Sequence, residues 1–112
     1  MTKQITIQFE VNKYSILQLN IKLNDDNKSI VDVCENLLIK EYIEKDNPEV
    51  SSKEKQKLDN NKIYQRYNLR LEDDVYKRLA IKMNKENDKY INNLVIKLLE
   101  KNGYFKDPTK EN

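Results

Sequence analysis

The 112-residue chain has no histidine and no tryptophan, one glycine, one cysteine and two prolines. Each shortage removes a class of function. Without histidine the commonest general base and metal ligand is missing, and no spacing of the remaining residues suits a metal site. The single Gly103 excludes a glycine-rich phosphate loop. The lone Cys34 has no partner for an internal disulfide, and beside Val33 and Leu37 it reads as a core residue. Asp25-Asp26 and Asp73-Asp74 are the only acid pairs to weigh for catalysis, and both read better as loop or helix-start residues. The expectation is a protein that is not an enzyme and uses no metal or cofactor. No apolar run is long enough to cross a membrane, and the start lacks the basic and apolar regions of a signal peptide. The expected location is the cytoplasm, with no membrane partner.

What is present is charge in near balance. Charged residues make up 36% of the chain and hydrophobic ones 38%, with a net charge of +2. No global basic field marks the chain, but its halves differ. Residues 1–46 carry 6 basic and 8 acidic groups, net −2; residues 47–62 carry 4 and 3, net +1; residues 63–112 carry 11 and 8, net +3. The length suits one compact domain, or two small halves sharing a core.

Periodicity places the elements. QITIQFEV (4–11) alternates strictly, with Ile5, Ile7, Phe9 and Val11 against Thr6, Gln8 and Glu10, which predicts a half-buried strand. From Ser29 to about Lys45 the pattern is helical, with Ile30, Val33, Cys34, Leu37 and Leu38 on one face. Ser29 and Asp32 approximate a capping box, and Asn47-Pro48 stops the segment. Residues 46–62 are polar and read as a linker. YQRYNLRL (64–71) alternates again, with Tyr67, Leu69 and Leu71 opposed to Arg66, Asn68 and Arg70. Asp73 or Asp74 can start a helix with the stripe Val75, Leu79 and Met83. A last helix carries Ile91, Leu94, Val95, Leu98 and Leu99 and ends at Gly103.

The second half repeats the first. At an offset of 60, Ile7, Phe9 and Val11 meet Tyr67, Leu69 and Leu71, and LNIKLN (19–24) meets LAIKMN (79–84). At an offset of 61, Ile30, Val33, Cys34, Leu37 and Leu38 meet Ile91, Leu94, Val95, Leu98 and Leu99. The extra residue falls in the polar break, where insertion disturbs least. Each half is then strand, helix, turn, helix. Residues 15–23 alone are ambiguous, because SILQLNIKL also alternates at period two and could form a hairpin with residues 4–11. The repeat with 75–86 favours a helix.

One such unit cannot close a core. Two can pair their strands and interlock their helices. In this the sequence resembles the Arc/MetJ ribbon-helix-helix family of DNA-binding proteins. The resemblance is carried by YNLRL, the acidic helix start and INNLVIKLL over residues 67–101, and more weakly by ITIQFEV through NKSIVDVCENLL. Holding both units in one chain is similar to TraY-like tandem proteins of conjugative plasmids. The implied fold is mainly α with a two-stranded antiparallel β-ribbon, a tandem pseudo-dimer. Its units are residues 1–46 and 63–103, joined by a linker at 47–62 and followed by a disordered tail at 104–112. A linker of about 17 residues spans roughly 20–25 Å on average, enough to join the units.

The resemblance implies a ribbon in the major groove of double-stranded DNA, with outward strand residues on the bases. Those positions are Arg66, Asn68 and Arg70, and in the first half Thr6, Gln8 and Glu10. Arg suits guanine O6 and N7, and Asn or Gln suits adenine N6 and N7. Glu10 departs from the basic or amide residue expected there. It would either accept from cytosine N4 or weaken the first strand's binding. The resemblance also implies phosphate contacts at the start of each unit's second helix, at Ser29 and Ile30 and at Tyr90 and Ile91, with Lys28 and Lys89 adding charge. Tyr90 departs from the small hydroxyl residue usual there. Two roles follow: a transcriptional repressor, or an accessory factor (relaxosome component) of plasmid transfer. The protein would act as a monomeric pseudo-dimer or as a homodimer, with assembly along repeated sites left open. The alternative is a non-catalytic protein-interaction module such as an antitoxin or adaptor. The hairpin reading of residues 4–23, Glu10 and the small net charge favour it; the short tail argues against an antitoxin.

Overall fold

In a computed structural model, residues 2–105 are described. The order is β1 (Thr2–Glu10), α1 (Ile16–Asp25), α2 (Ile30–Leu37), a π-helical continuation (Leu38–Ile43), β2 (Tyr64–Glu72), α3 (Asp73–Lys85) and α4 (Ile91–Lys101). β1 and β2 form a two-stranded antiparallel sheet, so the expected ribbon and four helices are present.

Residues 15–23 resolve as a helix. Ser15 caps it, its Oγ accepting from Gln18 N–H at 3.3 Å. Leu19 is fully buried, and Ile16 and Leu23 pack against the core. Leu17 and Ile21, the two residues that spoil the helical stripe, stand 70% and 51% exposed. The alternation that suggested a strand comes from these two outward side chains. Ser29 caps α2 by accepting from Asp32 N–H at 3.1 Å. The helical stretch expected to about Lys45 ends at Ile43. Its last turns widen, with Glu44 N–H reaching Ile39 O at 2.9 Å, and Leu38 and Tyr42 are buried there.

Three helices end in the same way. Asn27, Asn87 and Gly103 take positive φ, at 53°, 60° and 80°. The next residue's N–H returns to the helix: Lys28 to Leu23 O at 3.0 Å, Asp88 to Met83 O at 2.8 Å, and Tyr104 to Leu99 O at 2.9 Å. This is the Schellman pattern, which satisfies carbonyls left over at a helix end. The C-caps of the first helices, Asp26 and Glu86, stand 60 apart, whereas the N-caps Ser29 and Tyr90 stand 61 apart. The extra residue lies in the turn where the repeat puts it.

The core collects the inner strand residues Ile5, Ile7, Phe9, Leu69 and Leu71 with the helix stripes. Packing is crossed: α4 lies against β1 and α2 against β2. The core also reaches past residue 103. Tyr104 and Phe105 are buried, and the Phe105 ring sits 4.6 Å from Phe9 and 5.1 Å from Tyr14. The expected disordered tail otherwise falls on residues 106–112, outside the described residues. Cys34 is buried as expected, which pushes its thiol pKa up to about 12 and leaves it unreactive.

Residues 44–63 have no helix or strand, yet part of this polar stretch is anchored. Ser52 is buried, and its N–H donates to Asp88 Oδ1 at 2.9 Å. The other oxygen of Asp88 accepts from the buried Tyr42 hydroxyl. Burial, and then the hydrogen bond to Asp88, push the Tyr42 pKa up from 10.0. A raised folded value means that this stabilisation is complete below about pH 10 and is lost as pH rises through the folded pKa. Tyr42→Phe should therefore cost about 1–3 kcal/mol at neutral pH by leaving a buried carboxylate oxygen short of a donor. It should also flatten the fall in stability toward about pH 11. Denaturant unfolding of both proteins at the two pH values checks this.

Candidate nucleic-acid interface

Residues directly opposed in an antiparallel pair share a face, so the register decides what the open side carries. Gln4 faces Arg70, Thr6 faces Asn68, Gln8 faces Arg66 and Glu10 faces Tyr64. The six candidate readers, Thr6, Gln8, Glu10, Arg66, Asn68 and Arg70, therefore lie together on the side away from the core. Thr6, Arg66, Asn68 and Arg70 are exposed; Gln8 and Glu10 are half-buried.

These side chains are arranged by one another. Thr6 Oγ1 donates to Asn68 Oδ1 at 2.9 Å. That engages the amide oxygen and leaves the NH2 group without a partner among the described residues, while Oδ1 keeps a second lone pair. Arg66 Nε donates to Gln8 Oε1 at 3.2 Å. The two terminal nitrogens of that guanidinium remain for a bidentate partner. Glu10 pairs with Lys62 at 3.4 Å, which offsets the one acid among the six. Gln4, exposed opposite Arg70, belongs to this face and was not among the residues expected there. The signal was available, because Gln4 has the same strand parity as Thr6 and Gln8.

The outer edge of β1 is closed near its C-terminal end, at Gln8. Gln8 N–H donates to Asn92 Oδ1, and Asn92 Nδ2 donates to Gln8 O at 3.2 Å. Asn92 lies in the first turn of α4, and its Nδ2 also reaches Gln56 Oε1 at 2.6 Å. The same helix turn thus fixes both the ribbon and the segment after Ser52.

The two expected phosphate sites differ. Lys28 and Ser29 are exposed at the start of α2, Ile30 is half-buried, and an open groove there is lined by Leu23, Asn24, Asn27, Lys28 and Ser29. At the start of α4, Tyr90 and Ile91 are half-buried and Lys89 is exposed. Here the Lys89 and Tyr90 N–H groups donate to Ser52 O at 3.1 and 3.4 Å. Asn93 Nδ2 donates to Glu54 O at 2.7 Å, and Lys97 Nζ to Ser51 O at 2.7 Å. Residues 51–56 form a strap across this helix start. Sequence reading missed it, because a polar stretch without periodicity gives no sign of where it docks.

Among the described residues, no group of three or more His, Cys, Asp or Glu side chains is placed to hold a metal ion, and no helix is long and apolar enough to cross a membrane. Comparison with protein-family models, curated proteins and solved structures finds no match to this chain.

Asn92 gives a test of this geometry. Asn92→Ala should remove the contact to the β1 edge and the one to Gln56 together. Amide exchange at Gln8 should accelerate and the side-chain amide resonances of Gln56 should shift, with the core amides of α4 unchanged. Absence of both changes would refute the shared anchor.

Proposed function

We propose that this chain is a sequence-specific double-stranded DNA-binding protein of the ribbon-helix-helix kind, with two units, 1–46 and 63–103, forming a pseudo-dimer in one chain. The observation that carries the reading is the register. Each residue i of β1 faces residue 74−i of β2, as in Thr2 with Glu72. Ile7 therefore faces Tyr67, its own match in the 60-residue repeat. A ribbon paired about that point exchanges the two halves by an approximate two-fold and puts six candidate readers on one face.

The mechanism follows from their chemistry. The major groove admits a two-stranded ribbon and presents a distinct pattern for each base pair. Arg66, steadied through Nε by Gln8, offers its terminal nitrogens to guanine O6 and N7. Asn68 offers NH2 and carbonyl to adenine N7 and N6. Arg70 and Gln4 make a second Arg–amide rung. Backbone N–H groups at Ser29 and Ile30 hold a phosphate, with Lys28 beside them. The strands are unlike, so the preferred site is asymmetric, whereas two identical strands favour a palindrome. Repression and service at a plasmid-transfer origin are both compatible with this binding, and the place of the site in the genome decides between them. The interaction-module reading drew on a hairpin over residues 4–23. Residues 16–25 are helical instead, so that support is gone.

DNA fragments retained by the protein from its own genome or plasmid at physiological salt should share a short motif. On that motif Arg70→Ala should lose about 1–3 kcal/mol, roughly 5- to 150-fold, and lose much less on unrelated DNA. Equal loss on all sequences would make Arg70 a phosphate contact. Retention of no motif by folded protein would overturn the proposal.

A further inference from the structure

The strap has a second feature besides its anchors. Its lysines Lys53, Lys55 and Lys57 are exposed, and among the described residues none forms an ion pair or hydrogen bond. Two grooves show where it runs. One, of about 280 Å³, is lined by Thr6 and Gln8 of β1, by Lys55, Gln56 and Leu58, and by the start of α4. The next, of about 420 Å³, sets Lys55, Gln56 and Lys57 against Glu10 and Tyr64. The strap thus borders the outward residues of β1 from Thr6 to Glu10. It is held there by Asp88 on Ser52, Asn93 on Glu54 O and Asn92 on Gln56.

We propose that this strap is a phosphate-binding element, in which Lys53, Lys55 and Lys57 contact the DNA backbone flanking the β1 side of the groove. The proposal rests on the DNA-binding reading and deepens it. A ribbon seated in a groove brings the backbone past its sides, and the β1 side here carries three exposed lysines on an anchored strap. The α4 start, where a phosphate would otherwise be gripped, has its Tyr90 amide bonded to Ser52 O. The strap lysines supply charge where that donor is occupied. The two ends of the complex then hold phosphate differently: by backbone amides at α2, by flexible cations at the strap. Glu54 lies among the lysines, so the strap's net charge over residues 53–57 is 3 − 1 = +2.

The test uses the full chain and the duplex recovered with the wild type, with affinity measured over a range of salt. Each phosphate neutralised contributes about 0.9 to the slope of log K against log salt. The triple variant Lys53→Gln, Lys55→Gln, Lys57→Gln should lower the slope by roughly two to three units. It should lower affinity for specific and unrelated DNA alike and keep the preference for the motif. Far-ultraviolet dichroism matched to wild type shows that the fold is kept. A wild-type slope in the triple variant overturns the strap proposal and leaves base readout standing. Loss of motif preference with an unchanged slope overturns it too, by making the strap a base contact or a support for β1. A wild type that binds no DNA overturns the reading on which the proposal rests. The amides of Lys89 and Tyr90 should stay protected from exchange in the complex; their deprotection by DNA would mean that the strap leaves, and would also overturn the proposal.

Discussion

Neither strand has a neighbour within its own half of the chain. β1 is followed by α1 and α2, and β2 by α3 and α4, so each strand alone would expose two edges of unpaired backbone groups. Pairing β1 with β2 removes one edge from each, and Asn92 covers part of another. The pairing joins residues about 60 apart, so a long loop must close before the ribbon forms. The crossed packing offsets that cost: α4 closes on β1 and α2 on β2. Side chains alternate along a strand, so a slip of one residue would turn Ile5, Ile7 and Phe9 outward. Burial of the inner face therefore fixes the outer face as well. Thr6, Gln8, Arg66 and Asn68 stand together because their neighbours in sequence are core.

Much of this was legible because the periodic signals are strong. The two strands, the stripes of α2, α3 and α4, Ser29 as a cap and Gly103 as a stop all follow from spacing and residue type. Residues 15–23 were ambiguous for a physical reason. α1 lies at the periphery and leaves Leu17 and Ile21 exposed, so hydrophobicity there does not track burial. Comparison with the repeat, and not local pattern, gave the helix. Two features left no trace in pattern. The widened turns at 38–43 carry Tyr42, whose buried hydroxyl meets Asp88, 46 residues away, and no local spacing signals that meeting. The strap docks mainly through main-chain groups of Ser51, Ser52 and Glu54, which any sequence offers, with one side-chain anchor at Gln56. Gln4 was overlooked although its parity was plain, because matching the halves at an offset of 60 leads from Arg66, Asn68 and Arg70 to Thr6, Gln8 and Glu10, whereas the strand that faces Arg70 presents Gln4.

The register of the repeat shifts once, in the turn between the two helices of each half, and the two turns hold different contacts. In the first half, Asn27, Lys28 and Ser29 take the chain from one helix into the next, and Ser29 caps α2 with its own hydroxyl. The second half has one residue more between Asn87 and Tyr90. Asp88 turns inward from that longer turn, accepting from Tyr42 on the π-helical segment and from Ser52 on the strap. Among the described residues Asp88 makes no ion pair, and each of its two oxygens accepts from one donor, so neither is left unsatisfied. Ser52 O then takes the Lys89 and Tyr90 amides. Tyr90, the residue that departs from a small hydroxyl at this position, makes no side-chain cap. A helix start whose incoming amides are met by a strap puts a different demand on that side chain than an open start does. The single added residue thus links three changes: the buried acid, the docked strap and the cap that Tyr90 does not make. On the DNA-binding reading, these changes make one end of a near-symmetric ribbon unlike the other, so the protein would recognise not only a sequence but a direction along it.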